Sequence, residues 1–103
     1  MQLGIVMTDQ QYLPQVVGLL DAARERGWPT VCFLTDTGVN ALRDAGFIER
    51  ARATPNSITL CEHSVEKHAA GSVDLSAHAD YVVVGGQYQN AELAHTCDKV
   101  VVF

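Results

Sequence analysis

Short apolar runs alternate with longer amphipathic segments along the whole chain. Each run is four to six residues long and is bounded by polar or turn-forming residues, a pattern typical of β-strands. The predicted strands are Leu3–Met7, Thr30–Thr35, Ser57–Leu60, Tyr81–Val84 and Lys99–Phe103. Because the runs Val82–Val84 and Val100–Val102 are apolar at every position, we expect both strands to be buried on both faces.

The segments between the runs carry helical signals. Apolar residues recur at helical spacing in the first of them, and Gly27 followed by Pro29 ends it. Thr8 and Asp9 are predicted to cap its start, and Gly46 is predicted to break the second segment into two short pieces. The predicted helical segments are Gln11–Arg26, the pieces within Val39–Ala51, Glu62–Ala70 and Asn90–Thr96, with a polar connection at Gly71–His78.

This alternation predicts a three-layer α/β/α fold with a mainly parallel, five-stranded sheet. The chain has 103 residues, enough for one hydrophobic core but not for two, so we expect a single domain over residues 1–103. Right-handed crossovers bring the carboxyl ends of the strands to one edge, where ligand chemistry in open α/β sheets usually occurs.

Charge and composition exclude several classes of partner. The net charge is −5 and the basic residues do not cluster, which argues against nucleic-acid and anionic-membrane surfaces. No apolar run approaches the roughly 20 residues that span a bilayer. The chain begins without a signal-like segment, so we expect a cytoplasmic protein whose three cysteines stay reduced.

The three cysteines differ in their predicted positions. Cys32 lies within the second strand, where a thiol usually serves as a small buried apolar group. Cys97 follows the last helix and precedes Asp98. The negative end of the helix dipole and the Asp98 carboxylate both disfavour a thiolate there. Cys61 ends the third strand and begins a helix, so unpaired N–H groups can stabilise its thiolate. Cys61 is therefore the candidate nucleophile, with a purely structural role as the alternative.

Positive charge near Cys61 has several possible sources in the helix that follows. His63, Lys67 and His68 can contribute it, whereas Glu62 acts in the opposite sense. Cys61, His63 and His68 also raise the alternative of a metal site, but their spacing matches no standard zinc pattern. No Gly-x-Ser-x-Gly elbow is present, which argues against a serine hydrolase.

Other residues at the same edge have simpler explanations. Asp9 and Asp36 can form a carboxylate pair, but each also suits a helix cap or an Asx turn. Gly38 and the pair Gly85-Gly86 suggest a further alternative, that the protein is a nucleotide-binding module. We rank it last because no glycine-rich phosphate motif and no phosphate-binding lysine accompany these glycines.

Taken in order, the elements resemble the DsrE/DsrF-like family of small sulfur-relay proteins over nearly the whole chain. The matching segments are the opening strand, the stretch from Val31 to Val39, the cysteine that ends the third strand, and the closing helix and strand with Leu93, Ala94 and Asp98–Phe103. The stretch Cys61-Glu62-His63-Ser64 is similar to the Cys-x-x-Ser-like segment that opens a helix in that family.

The resemblance implies an α/β fold, assembly into trimers or hexamers, and a persulfide-carrying cysteine, which by position is Cys61. The expected activity is transfer of sulfane sulfur between donor and acceptor proteins, with Ser64 and the helix amides stabilising charge and His63 and Lys67 as further supporting residues. No metal or organic cofactor is required. The alternative is a non-catalytic oligomeric or regulatory subunit of the same fold.

Overall fold

The computed structural model of the protein describes all 103 residues and contains one five-stranded sheet. All neighbouring strands are parallel, in the order β4-β3-β2-β1-β5. The strands are β1 (Leu3–Met7), β2 (Thr30–Leu34), β3 (Ile58–Cys61), β4 (Val82–Gly85) and β5 (Lys99–Val102). The predicted α/β fold with a parallel sheet is therefore confirmed.

Four α-helices and three 3₁₀ segments connect the strands. The helices are α1 (Leu13–Glu25), α2 (Ala45–Ala53), α3 (Glu62–His68) and α4 (Gln87–Thr96). The 3₁₀ segments are Gln10–Tyr12, Asp36–Arg43 and Leu75–His78. No helix is both long enough and apolar enough to span a lipid bilayer.

The two faces of the sheet are covered unequally. Helices α1, α2 and α3 pack on one face, where 20 buried residues form the main core. On the other face α4 lies over β1, β2 and β3 and contributes Leu93 to a small cluster with Val6, Phe33 and Cys61. Gly4 permits this approach, because a Cβ atom there would lie 2.7 Å from Leu93 Cδ2 and 3.1 Å from Cys97 Sγ.

Several predicted boundaries are wrong by a few residues. The break in the second helical segment falls at Asp44, whose carboxylate accepts a hydrogen bond from the N–H of Phe47, and Gly46 lies inside α2. Helix α4 begins at Gln87, three residues before the predicted start. The carboxylate of Asp9 caps the 3₁₀ turn that precedes α1, as expected for a cap, by accepting from Gln11 N–H.

The expectation that β4 and β5 are buried on both faces is wrong, because both are edge strands. Val100, Val101 and Val102 remain 40%, 37% and 64% exposed, and Val84 of β4 remains 38% exposed. An apolar run gives the composition of a strand but not its position in the sheet. On its face α4 contacts β1, β2 and β3, so Val100 and Val102 at the β5 edge stay uncovered.

The direction of the connections reverses between β3 and β4. The chain leaves β3 toward α3 on one face of the sheet, and it leaves β4 toward α4 on the other face. In parallel α/β sheets such a reversal opens a crevice at the carboxyl ends of the two strands, and ligands bind preferentially there. Cys61 ends β3 at this position and is paired in register with Gly85 of β4.

Candidate functional site

Cys61 is the last residue of β3 and directly precedes the first turn of α3. The residue is 5% exposed and belongs to the small cluster beneath α4. Extended backbone at Cys61, with φ −87° and ψ 113°, ends the strand and leaves the first N–H groups of α3 without helical partners. These N–H groups lie beside the sulfur.

Four hydrogen-bonding groups beside the Cys61 thiol favour its ionised form. They are the Ser64 hydroxyl, the Ser64 N–H, the side-chain amide of Gln87 and the His63 N–H. Burial is the largest single effect on this thiol and raises its pKa, but the four donors together outweigh it. The pKa of Cys61 is therefore held below the ordinary thiol value of 9.0. Hydrogen bonding to the charged form makes the thiolate more accessible near neutral pH.

Ser64 is held in place by the end of the neighbouring strand β2. The N–H of Asp36 donates to Ser64 Oγ at 2.9 Å, and Ser64 Oγ lies 3.2 Å from Thr35 Oγ1. These two contacts fix the Ser64 hydroxyl between the end of β2 and the Cys61 thiol, whose pKa it lowers. Asp36 adopts a left-handed backbone conformation with φ 50°, which costs energy for a non-glycine residue.

The role predicted for Asp36 is corrected by this geometry. Thr35, not Asp36, occupies the cap position of the following 3₁₀ segment, and the Asp36 carboxylate makes no cap bond. That carboxylate instead lies 4.0 Å from Nε2 of His68, at the limit of an ion pair. Asp36 thus contributes to the site mainly through the N–H that orients Ser64.

Gln87 is a site residue that sequence reasoning did not single out. It is the first residue of α4, which lies on the opposite face of the sheet from α3. Besides reaching Cys61, its Nε2 lies 3.4 Å from Thr35 Oγ1. The available signal is its position directly after Gly85-Gly86, at the edge of the sheet where ligand chemistry is expected.

The other predicted supporting residues have unequal parts in this arrangement. Ser64 acts directly on the sulfur, and His63 acts through its backbone N–H. The His63 and Lys67 side chains are exposed and are not among the groups that shift the Cys61 pKa. Cys61, His63 and His68 do not converge as a cluster of three metal-binding residues.

The remaining cysteines have environments that suppress ionisation. Burial raises the pKa of Cys32 to about 12. Burial also raises the pKa of Cys97, and the Asp98 carboxylate adds to the increase while a hydrogen bond from Thr96 opposes it. Among the three thiols, only Cys61 has a lowered pKa.

The glycines at this edge have packing and capping roles. A Cβ atom on Gly38 would overlap the carbonyl oxygen of Met7, so this glycine allows two segments of the chain to touch. The N–H of Gly86 donates at 2.7 Å to Oε1 of Gln89, which closes the first turn of α4. Both contacts are internal to the fold and require no phosphate.

Comparison of the chain with protein-family models and with curated proteins gives no significant match.

Proposed function

We propose that the protein is a sulfur carrier that holds sulfane sulfur as a persulfide on Cys61 and passes it to the thiol of a partner. The observation that carries the proposal is the position of Cys61 at the carboxyl end of β3, where the connections of a parallel sheet reverse and nearby donor groups lower the pKa of its thiol. The resemblance of the chain to the DsrE/DsrF-like family supports the same chemistry.

The transfer proceeds by two thiolate attacks on sulfur. In the first, the Cys61 thiolate attacks the outer sulfur of a donor persulfide, a new S–S bond forms, and the donor's S–S bond breaks. The electron pair leaves with the donor thiolate, and any proton on the outer sulfur remains there. In the second, an acceptor thiolate attacks that outer sulfur and Cys61 leaves as a thiolate. No oxidant or reductant is consumed.

The groups around Cys61 suit both steps. The Ser64 hydroxyl and the Gln87 amide stabilise negative charge on the sulfur when it attacks and again when it leaves. A moderately lowered pKa serves transfer best, because a very low pKa would weaken the nucleophile. The chemistry requires neither a metal nor an organic cofactor.

We propose donor and acceptor proteins as partners, in the cytoplasm, where the thiols remain reduced. Cys61 as a residue is only 5% exposed, so a partner must bring its reacting thiol close to the carboxyl ends of β3 and β4, beside Gln87. Assembly into a trimer or hexamer, as the resemblance implies, is part of the same proposal.

Whole-protein mass spectrometry tests sulfur loading. After incubation with polysulfide and removal of excess reagent, we expect one adduct of about 32 Da, the mass of a sulfur atom, that a reductant removes. Cys61→Ser should lose the adduct, whereas Cys97→Ser should keep it. An unloaded wild-type protein, or equal loading of Cys61→Ser, would rule out the proposal.

A non-catalytic oligomeric subunit is the second candidate function. The exposed valines of β5 favour it, since they offer an apolar surface independent of Cys61. Full complementation of a deletion strain by Cys61→Ser would support this alternative over the sulfur carrier.

A further inference from the structure

The outer edge of β5 gathers half of the large apolar side chains that the protein leaves in solvent. Eight such residues are exposed, and four of them lie on β5 or beside its end. The four are Tyr12, Val100, Val101 and Val102. Tyr12 joins this group because its ring lies 6.3 Å from that of Phe103, at the end of β5. Such a concentration at a strand edge marks an association surface.

The backbone of this edge is also available for pairing. Phe103 N–H donates to Val6 O, and Phe103 O accepts from Thr8 N–H, so the backbone of Phe103 faces β1. Backbone direction alternates along a strand, and the N–H and C=O groups of Val100 and Val102 therefore point away from the sheet. Helix α4 contacts β1, β2 and β3, so it leaves the outer edge of β5 open.

We propose that β5 pairs antiparallel with β5 of a second copy of this chain, around a two-fold axis at Val101. The outward groups of Val100 and Val102 then exchange hydrogen bonds with those of Val102 and Val100 in the second copy. These two hydrogen-bonded pairs flank a Val101–Val101 pair at the axis. The two five-stranded sheets become one continuous sheet.

Side-chain chemistry along β5 favours a second copy as the occupant. The register aligns valine with valine on both faces of the new sheet, and β-branched pairs stabilise antiparallel strands. Lys99 is the only charged residue of the strand, and it lies opposite Phe103 rather than opposite its own copy. A strand with several like charges would repel itself, whereas this one is self-complementary.

Val84 provides a matched control on the other edge of the sheet. It is 38% exposed on β4, and Val101 is 37% exposed on β5. A lysine at either position adds the same charge to an edge strand. Only at position 101 does the proposed dimer place two lysines face to face.

Sedimentation equilibrium of the full chain over a range of concentrations tests the pairing. We expect the wild type and Val84→Lys to reach at least twice the monomer mass of 11.2 kDa. Val101→Lys should weaken association by about tenfold or more, because like charges directly opposite each other repel and the valine contact is lost. Circular dichroism and thermal unfolding confirm that each variant is folded.

Mixing two variants makes the test specific for the axis. Val101→Lys and Val101→Glu should each associate weakly, and an equimolar mixture should recover dimers through a lysine–glutamate pair. A monomeric wild type at every concentration would overturn the proposal. Failure of the mixture to associate would overturn it as well, and so would an oligomer that Val101→Lys leaves intact. Sulfur loading of Cys61 is measured separately and decides neither result.

Discussion

At the scale of single residues, the proposed function depends on the groups that surround the Cys61 thiol and set its pKa. The sulfur is nearly buried, and burial alone would make it an ordinary unreactive thiol. Ser64 and Gln87 oppose this effect from two different helices, because each favours the ionised form of the thiol. Removal of either donor should therefore restore a higher thiol pKa.

Ser64→Ala tests this contribution directly. We expect the pKa of Cys61 to rise toward 9.0, with a slower alkylation by iodoacetamide at neutral pH, because the thiolate loses a charge-stabilising donor. The pKa is read from the pH dependence of the alkylation rate. Ser76→Ala removes an exposed hydroxyl that serves Asp74 instead and should leave the rate unchanged. Equal rates in all three proteins would contradict the role of Ser64.

Part of this residue-level arrangement was predictable from the sequence. Cys61 and Ser64 lie three residues apart at a strand-to-helix junction, so local patterning places them together. Gln87 lies 26 positions after Cys61, and only the pairing of β3 with β4 brings the two into contact. The part played by Asp36 depends on a left-handed backbone conformation that no composition rule indicates for aspartate at this position.

At the scale of elements, α4 links the second face of the sheet to the site. Its one buried residue, Leu93, packs over Gly4, and its first residue, Gln87, reaches Cys61. A side chain at position 4 would push α4 away from the sheet. Because Gln87 would move with the helix, the pKa of the Cys61 thiol should rise.

Gly4→Ala should therefore lower the stability by about 1–3 kcal/mol, as overpacking typically does, and raise the pKa of Cys61. Gly18→Ala is the matched control, because a Cβ atom there meets nothing within 4 Å. Within helix α1 that control should stabilise the protein by about 0.5–1 kcal/mol. Urea unfolding gives the stabilities. A Gly4→Ala protein as stable as the wild type would show that α4 does not pack as described.

The sequence predicted the secondary-structure elements better than their solvent exposure or their order in the sheet. Periodicity predicts all five strands and the four α-helices, because that signal is local, whereas the 3₁₀ segment Leu75–His78 falls in the predicted polar connection. The exposure of β5 could not be read from Val100–Val102, since a valine run looks the same in a central strand and at an edge. The strand order, which decides between the two, is set by contacts far apart in sequence.

At the scale of the whole molecule, the thiols couple stability to pH with opposite signs. The folded-state pKa of Cys32 is raised to about 12, so above 9.0 the unfolded thiol ionises while the folded one stays protonated. Cys32 therefore lowers the free energy of unfolding as the pH rises from 9.0 to about 12. Cys61 has a lowered folded-state pKa, and its contribution to stability grows as pH rises from that value toward 9.0.

Cys32→Ala isolates the first effect. Between pH 9.0 and about 12, the wild type should lose up to about 1.4 kcal/mol of unfolding free energy per pH unit relative to the variant. Denaturant unfolding at several pH values gives this difference. Cys61→Ser should change the slope in the opposite sense, and parallel pH curves for wild type and Cys32→Ala would refute the assignment.

Site-resolved persulfide mapping tests the central claim of the account, that Cys61 is the sulfur-carrying thiol of this protein. The protein is loaded with limiting polysulfide near neutral pH, its thiols and persulfides are alkylated, and the peptides with Cys32, Cys61 and Cys97 are quantified by mass spectrometry. We expect the added sulfur predominantly on Cys61, and less of it in Gln87→Ala. Predominant labelling of Cys97, which is more exposed but has a raised pKa, would contradict the account.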